Sequence, residues 1–185
     1  MQQRAPRHER GFNLIEVVIS LAVLGVLVGV GVPSAADMIE SQRLANVSND
    51  VLQQLHLARS EAIKRNARVV LCKSSGGDTC AKAGGWEQGW ILFQDANNSG
   101  TREPAEPVLE RLLPVPQGFR LSANTPMARY VSFGPFGGAR MTSGAFQAGT
   151  FTVCRISVDQ VEGRQIIINA GGRPRVQKVR LAECL

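Results

Sequence analysis

An almost unbroken apolar run from Phe12 to Val32 dominates the start of the chain. As a helix its 21 residues would reach about 30 Å, the thickness of a bilayer's hydrocarbon core. One charge, Glu16, sits four residues inside it. A carboxylate at that depth costs about 2.5–3.5 kcal/mol on insertion scales, so it calls for a partner. Helical periodicity does not stop at Pro33. Leu44, Val47, Val51, Leu55, Ala58 and Ala62 recur at steps of three and four, with polar residues such as Gln42, Arg43, Asn49, Asp50, Gln53, Gln54 and Arg59 around them. That pattern predicts one long helix to about Asn66, apolar throughout in its first half and striped in its second. Pro33 removes a helical hydrogen bond, and Gly25, Gly29 and Gly31 lower helix propensity nearby.

Beyond Asn66 the pattern changes to short strand signals separated by glycine and proline. They fall at Arg68–Cys72, Trp86–Gln94, Val108–Leu113, Phe119–Leu121, Tyr130–Phe133, Phe151–Ile156, Gln165–Asn169 and Arg175–Leu181. Asn169-Ala170-Gly171-Gly172 reads as a hairpin turn between the last two. Phe133-Gly134-Pro135-Phe136-Gly137-Gly138-Ala139-Arg140 lacks the lysine and the spacing of a phosphate-binding loop and reads as irregular structure.

Composition narrows the picture. The 185 residues include 19 glycines and 9 prolines with few aromatics, which fits one turn-rich β domain behind the helix. Net charge is +6, of which Arg4, Arg7, Arg10 and Glu9 contribute +2, leaving a mildly basic remainder of +4. That balance proves no anionic partner. The four cysteines, Cys72, Cys80, Cys154 and Cys184, allow three pairings. In an exported domain, Cys72–Cys80 and Cys154–Cys184 are the favoured pairs, the second pinning the last strand to an earlier one. A zinc site is the rival, but no C-x-x-C pair is present.

Arg10-Gly11-Phe12-Asn13-Leu14-Ile15-Glu16 and the run behind it closely resemble the class III signal of type IV pilins and type II secretion pseudopilins. The resemblance implies cleavage after Gly11 by a prepilin peptidase and N-methylation of Phe12. It makes Glu16 the fifth residue of the mature chain, which this family pairs with the amino terminus of a neighbouring subunit. Two plainer readings compete. A conventional secretory signal would use the basic start and cut near Ser34-Ala35-Ala36, yet its apolar region is normally shorter, about 7–15 residues. A simple membrane anchor leaves Gly-Phe and Glu16 unexplained. All three keep the basic start cytoplasmic and send the rest across the membrane.

The stretch Trp86-Glu87-Gln88-Gly89-Trp90 through Asp95-Ala96-Asn97-Asn98-Ser99-Gly100, together with Gly172-Arg173-Pro174-Arg175, is similar to the GspH/FimT group of minor pilins and pseudopilins. Trp86 and Trp90 are expected in the core, each needing a partner for its indole N–H. In FimT-like proteins of natural transformation a Gly-Arg-x-Arg motif near this end binds DNA. Gly172, Arg173 and Arg175 match it, with Lys178 and Arg180 further along the same strand. Similar endings occur in relatives that only build filaments, and charged edge strands also protect against aggregation. No aromatic interleaves these arginines, so base stacking is not expected. Asp95, Asn97, Ser99, Gly100, Thr101, Glu103 and Glu106 also fit the spacing of a calcium loop. The preceding segment reads as a strand, however, and Asp-x-Asn-x-Ser-Gly is equally a turn sequence, so no cofactor is expected. His8 and His56 are the only histidines, and no catalytic constellation forms around either.

The expected fold is α+β and type IV pilin-like, a long amino-terminal helix packed on antiparallel β-sheet. Residues 1–11 form the leader, 12–33 the transmembrane half of the helix, 34–66 its amphipathic half, and 67–185 the β-rich periplasmic domain. The chain is expected to be a single-pass inner-membrane protein that joins a filament, sits at its tip and initiates assembly. Its expected partners are other pilin or pseudopilin subunits, the prepilin peptidase, the inner-membrane assembly platform and, through the carboxy-terminal motif, double-stranded DNA. A type II secretion pseudopilin without DNA binding, or a stand-alone anchored binding domain, is the alternative. No enzyme reading finds support.

Overall fold

Residues 13–184 are described by a computed structural model. Helix α1 (Leu14–Arg65) carries acidic Glu16 in its first turn and basic Lys64 and Arg65 in its last, as the helix dipole favours. Asn13 precedes it, and its side-chain oxygen accepts the Ile15 N–H at 3.4 Å. The helix ends in a Schellman motif. Asn66 turns left-handed at φ 50°, its N–H bonds the Ile63 carbonyl at 3.2 Å, and the Ala67 N–H bonds the Ala62 carbonyl at 3.2 Å. Helical structure is continuous across Pro33.

The chain divides into two compact units, residues up to Ser41 and residues from Gln42 onward. In the first, Leu14, Val17, Val18, Leu21, Leu24 and Leu27 are all exposed, so the helix presents apolar side chains around its circumference. Such a helix belongs in lipid or inside a larger core. Among the described residues no helix is long and apolar enough to cross a membrane. The run read from the sequence begins at Phe12, outside those residues.

In the second unit the strands form antiparallel β-sheet, as expected, divided into two four-stranded sheets. The first has the order β3 (Val108–Leu112), β2 (Trp90–Gln94), β1 (Val69–Lys73), β5 (Tyr130–Phe133). The second runs β4 (Phe119–Ala123), β6 (Gly149–Arg155), β7 (Val161–Ile168), β8 (Pro174–Leu181). The stripe Leu44, Val47, Val51, Leu55, Ala58 and Ala62 is buried along its whole length. It shares one core with Leu71, Leu92 and Phe133 of the first sheet and Leu121, Phe151 and Ile166 of the second.

Strand alternation explains a second, smaller core. Val70, Cys72, Ile91 and Phe93 point to the other face of the first sheet, where Cys80, Val108 and Tyr130 pack on them. The disulfide Cys72–Cys80 ties the covering loop to β1. Cys154–Cys184 ties the chain beyond β8 back to β6. There Ser157 and Cys184 exchange backbone bonds of 3.0 and 2.8 Å.

Trp86 is not in a strand as the sequence reading expects. Residues Trp86–Gln88 make one 3-10 turn, and Gly89 at φ 100° re-aims the chain into β2. A Cβ on Gly89 would stand 2.6 Å from the Leu112 carbonyl oxygen, so the close approach demands glycine. Both tryptophans are buried. The Trp86 indole N–H donates to the Met127 carbonyl at 3.0 Å, and its ring meets Phe151 edge-on at 4.9 Å. The Trp90 indole finds no protein acceptor among the described residues.

Candidate nucleic-acid interface and assembly residues

Strands β7 and β8 form a regular hairpin of eight paired positions, from Val161 opposite Leu181 to Ile168 opposite Pro174. Arg164, which precedes the strand signal Gln165–Asn169 read from the sequence, lies inside β7 directly opposite Lys178. Ile166 and Ile168 fix which face of β7 is the core. The unbroken register therefore sets Lys178 and Arg180 on one face of β8 and Arg175 on the other. Arg180 stands opposite Glu162. All three cations are exposed. Arg175 donates from Nη1 to Gln177 Oε1 at 3.3 Å, and Gln177 donates across the ladder to Gln165 Oε1 at 3.0 Å.

Arg173 is exposed and lies in the turn, one residue before β8. Asn169 organises that turn. Its carbonyl accepts the Gly172 N–H at 2.9 Å, and its side-chain oxygen accepts the Arg173 N–H at 3.1 Å. Gly172 is buried at φ 73°. A Cβ there would stand 2.2 Å from the Gly137 carbonyl oxygen. In the Gly-Arg-x-Arg motif, then, the glycine packs the turn onto the loop after β5, and the arginines face solvent. This presents two guanidinium groups, able to grip phosphates in bidentate fashion, one from a braced turn and one from the start of the strand that leaves it.

The structure also places beside this turn residues that sequence reasoning missed. Phe136 is 97% exposed and Phe146 61% exposed. Both line a groove of about 330 Å³ together with Arg68, Arg140, Ala170 and Gly171. Two phenylalanines bracketing a glycine-rich segment were the available signal. Only the loop's return onto the β7–β8 turn brings them there.

Glu16 is exposed on α1, and no described residue pairs with its carboxylate. Gly11 and Phe12 lie outside the described residues. In the loop after β2, Asp95 is buried and its two oxygens accept the Ser99 and Gly100 N–H groups, each at 3.0 Å. Glu106 is buried as well, and accepts Ala96 N–H at 2.8 Å and Glu103 N–H at 2.9 Å. Asn97 accepts the Ser99 N–H at 3.1 Å and donates to Glu103 at 2.8 Å. The side chains with calcium-loop spacing thus close a turn by bonding its own backbone. Among the described residues no cluster of three or more His, Cys, Asp or Glu is arranged to hold a metal. His56 is exposed on α1.

Comparison with known proteins places this arrangement. The family model for Type II transport protein GspH matches residues 47–172, and that for the prokaryotic N-terminal methylation motif matches residues 6–32. Pilin-like protein PilA1 of Thermus thermophilus is 35% identical over 99 residues, which are 52% of this chain and 55% of that protein. The chain thus spans about half the length of this curated relative. Among solved structures, the type IV minor pilin FimU of Pseudomonas aeruginosa superposes with a TM-score of 0.58 at 18% identity, covering 80% of this chain and 99% of FimU. A second crystal form of FimU gives 0.54 at 17% identity, over 77% and 100% of the two chains. At these identities the superpositions speak for the fold alone. With the GspH model covering most of the chain, the protein belongs to the GspH family, and it has the fold of the type IV minor pilin FimU.

Proposed function

We propose that the chain is a filament subunit anchored in the inner membrane by the first half of α1, with residues from Gln42 onward in the periplasm. A prepilin peptidase removes residues 1–11 and methylates Phe12. Glu16 then pairs with the amino terminus of a neighbouring subunit as the inner-membrane platform extracts both from the membrane. The all-round apolar first half of α1 supports this reading, because it leaves Glu16 without a described partner in a helix suited to lipid. The subunit sits at or near the filament tip and helps initiate assembly. Glu16→Ala tests the pairing. That variant should insert and be cleaved yet fail to restore filament function, and full complementation would contradict the role.

At the periplasmic end, Arg173 and Arg175 contact the phosphates of double-stranded DNA during uptake in natural transformation, with Lys178 and Arg180 contributing charge. The observation that carries this is the turn itself, where Asn169 and Gly172 brace the exposed Arg173, with exposed Arg175 at the start of β8. Binding should ignore sequence and weaken steeply with salt, each phosphate contact adding about one counterion to the slope. In a salt titration with a labelled duplex, Arg173→Gln with Arg175→Gln should lower affinity and flatten the slope. Equal binding by the double variant would move the DNA site elsewhere. A second reading, a type II secretion subunit without DNA binding, draws on the description of the matching family model. It predicts no duplex binding by the unmodified chain even at low salt.

A further inference from the structure

We propose that the groove beside the β7–β8 turn holds an unpaired base of single-stranded DNA, with Phe136 as its stacking platform. This rests on the nucleic-acid reading above and adds a preference that phosphate contacts alone do not supply. The groove, of about 330 Å³, lies at the small end of the range for ligand sites. Its lining sets exposed aromatics, Phe136 and Phe146, beside cations, Arg68 and Arg140, together with Pro135 and Ala170, and no carboxylate is among its described lining residues.

Each group has a defined place. At 97% exposure Phe136 offers its ring to solvent. The Arg140 guanidinium lies 4.3 Å from the centre of the Phe146 ring, a cation–π contact that holds its plane at the groove's edge. Arg68 is fixed through Nη1, which donates to Ser132 Oγ and to the Arg140 carbonyl, the latter at 3.1 Å. Aromatic rings and guanidinium planes are the surfaces on which splayed bases stack. Ala170 and Gly171 of the groove wall belong to the turn that carries Arg173. A strand gripped at Arg173 and Arg175 thus passes straight to the groove. The charge favours a polyanion over an apolar peptide.

The test compares a short labelled oligothymidylate with a long labelled duplex, using the detergent-solubilised full chain. Phe136→Ala should weaken oligothymidylate binding about tenfold, the loss of about one stacked base. It should change duplex affinity and both salt slopes little, and Phe136→Trp should restore the single-strand affinity. Phe146→Ala, which removes the ring under Arg140, should weaken oligothymidylate binding in the same sense. Intact disulfides in an unreduced digest show that each variant is folded. If Phe136→Ala and Phe146→Ala both bind oligothymidylate like the unmodified chain, the groove is not a base site, although duplex binding lost by the Arg173 and Arg175 variant would still uphold the phosphate-gripping turn. If the unmodified chain binds neither probe at low salt, the nucleic-acid reading itself falls and takes the groove with it. If Phe136→Ala disrupts filament assembly with DNA affinity unchanged, the groove belongs to a protein partner and the proposal is overturned.

Discussion

Gly172 and Arg173 are neighbours in one motif with different physical tasks. Gly172 sits at φ 73° with the Gly137 carbonyl where a Cβ would go. Gly172→Ala should therefore cost about 2–4 kcal/mol, from left-handed backbone strain and overpacking, read as a drop in melting temperature. Arg173→Gln with Arg175→Gln should leave the melting temperature nearly unchanged, because both side chains are exposed. A loss of DNA binding in a Gly172 variant is thus a folding effect, and only the arginine variants report on contact. The sequence made both arginines legible as candidates. It hid the glycine's packing role, because that depends on a loop more than thirty positions earlier in the chain. A smaller effect concerns Glu61, whose carboxyl is held below its ordinary value of 4.5 first by its hydrogen bond with Arg65. A lowered folded pKa adds stability above the unfolded value and loses it as pH falls through the folded one. Glu61→Gln should reduce the fall in melting temperature below about pH 4.5. An equally steep acid limb in that variant would remove Glu61 from the account.

At the scale of elements, the helix was the most legible part of the chain. Steps of three and four from Leu44 to Ala62 marked the buried stripe, and every member of it is in the core. Leu55, fully buried, should cost about 2–5 kcal/mol as Leu55→Ala, measured by denaturant unfolding. The strands were legible in place but less so in extent. Val161–Arg164 extends β7 before its run of isoleucines begins, and its ladder pairing with β8 continues through that part. The Trp86 turn was misread because an apolar aromatic signals burial in any backbone conformation. Cys154–Cys184 closes about 30 residues and should stabilise by about 3–4 kcal/mol in the loop-entropy model. An unreduced digest should yield that linked pair, and a Cys72–Cys184 link would contradict the strand order.

For the whole molecule, two sheets on one helix follow from where the apolar alternation is single-sided and where it is not. The first sheet buries both faces of β1 and β2, and the second turns one face to solvent. Eight short strand signals could not show this division, since a lone strand does not reveal which others it pairs with. The groove was illegible for the same reason: Arg68, Phe136, Phe146 and Gly171 meet only through tertiary structure. What the sequence carried well was the amino-terminal signal, which the methylation-motif match covers. Maturation into a filament subunit would leave its mark on the amino terminus, where it can be read as mass. Coexpressed with a prepilin peptidase, the membrane-extracted protein should begin at Phe12 and carry one added methyl group. A chain still beginning at Met1, or one cut near Ala36, would contradict it.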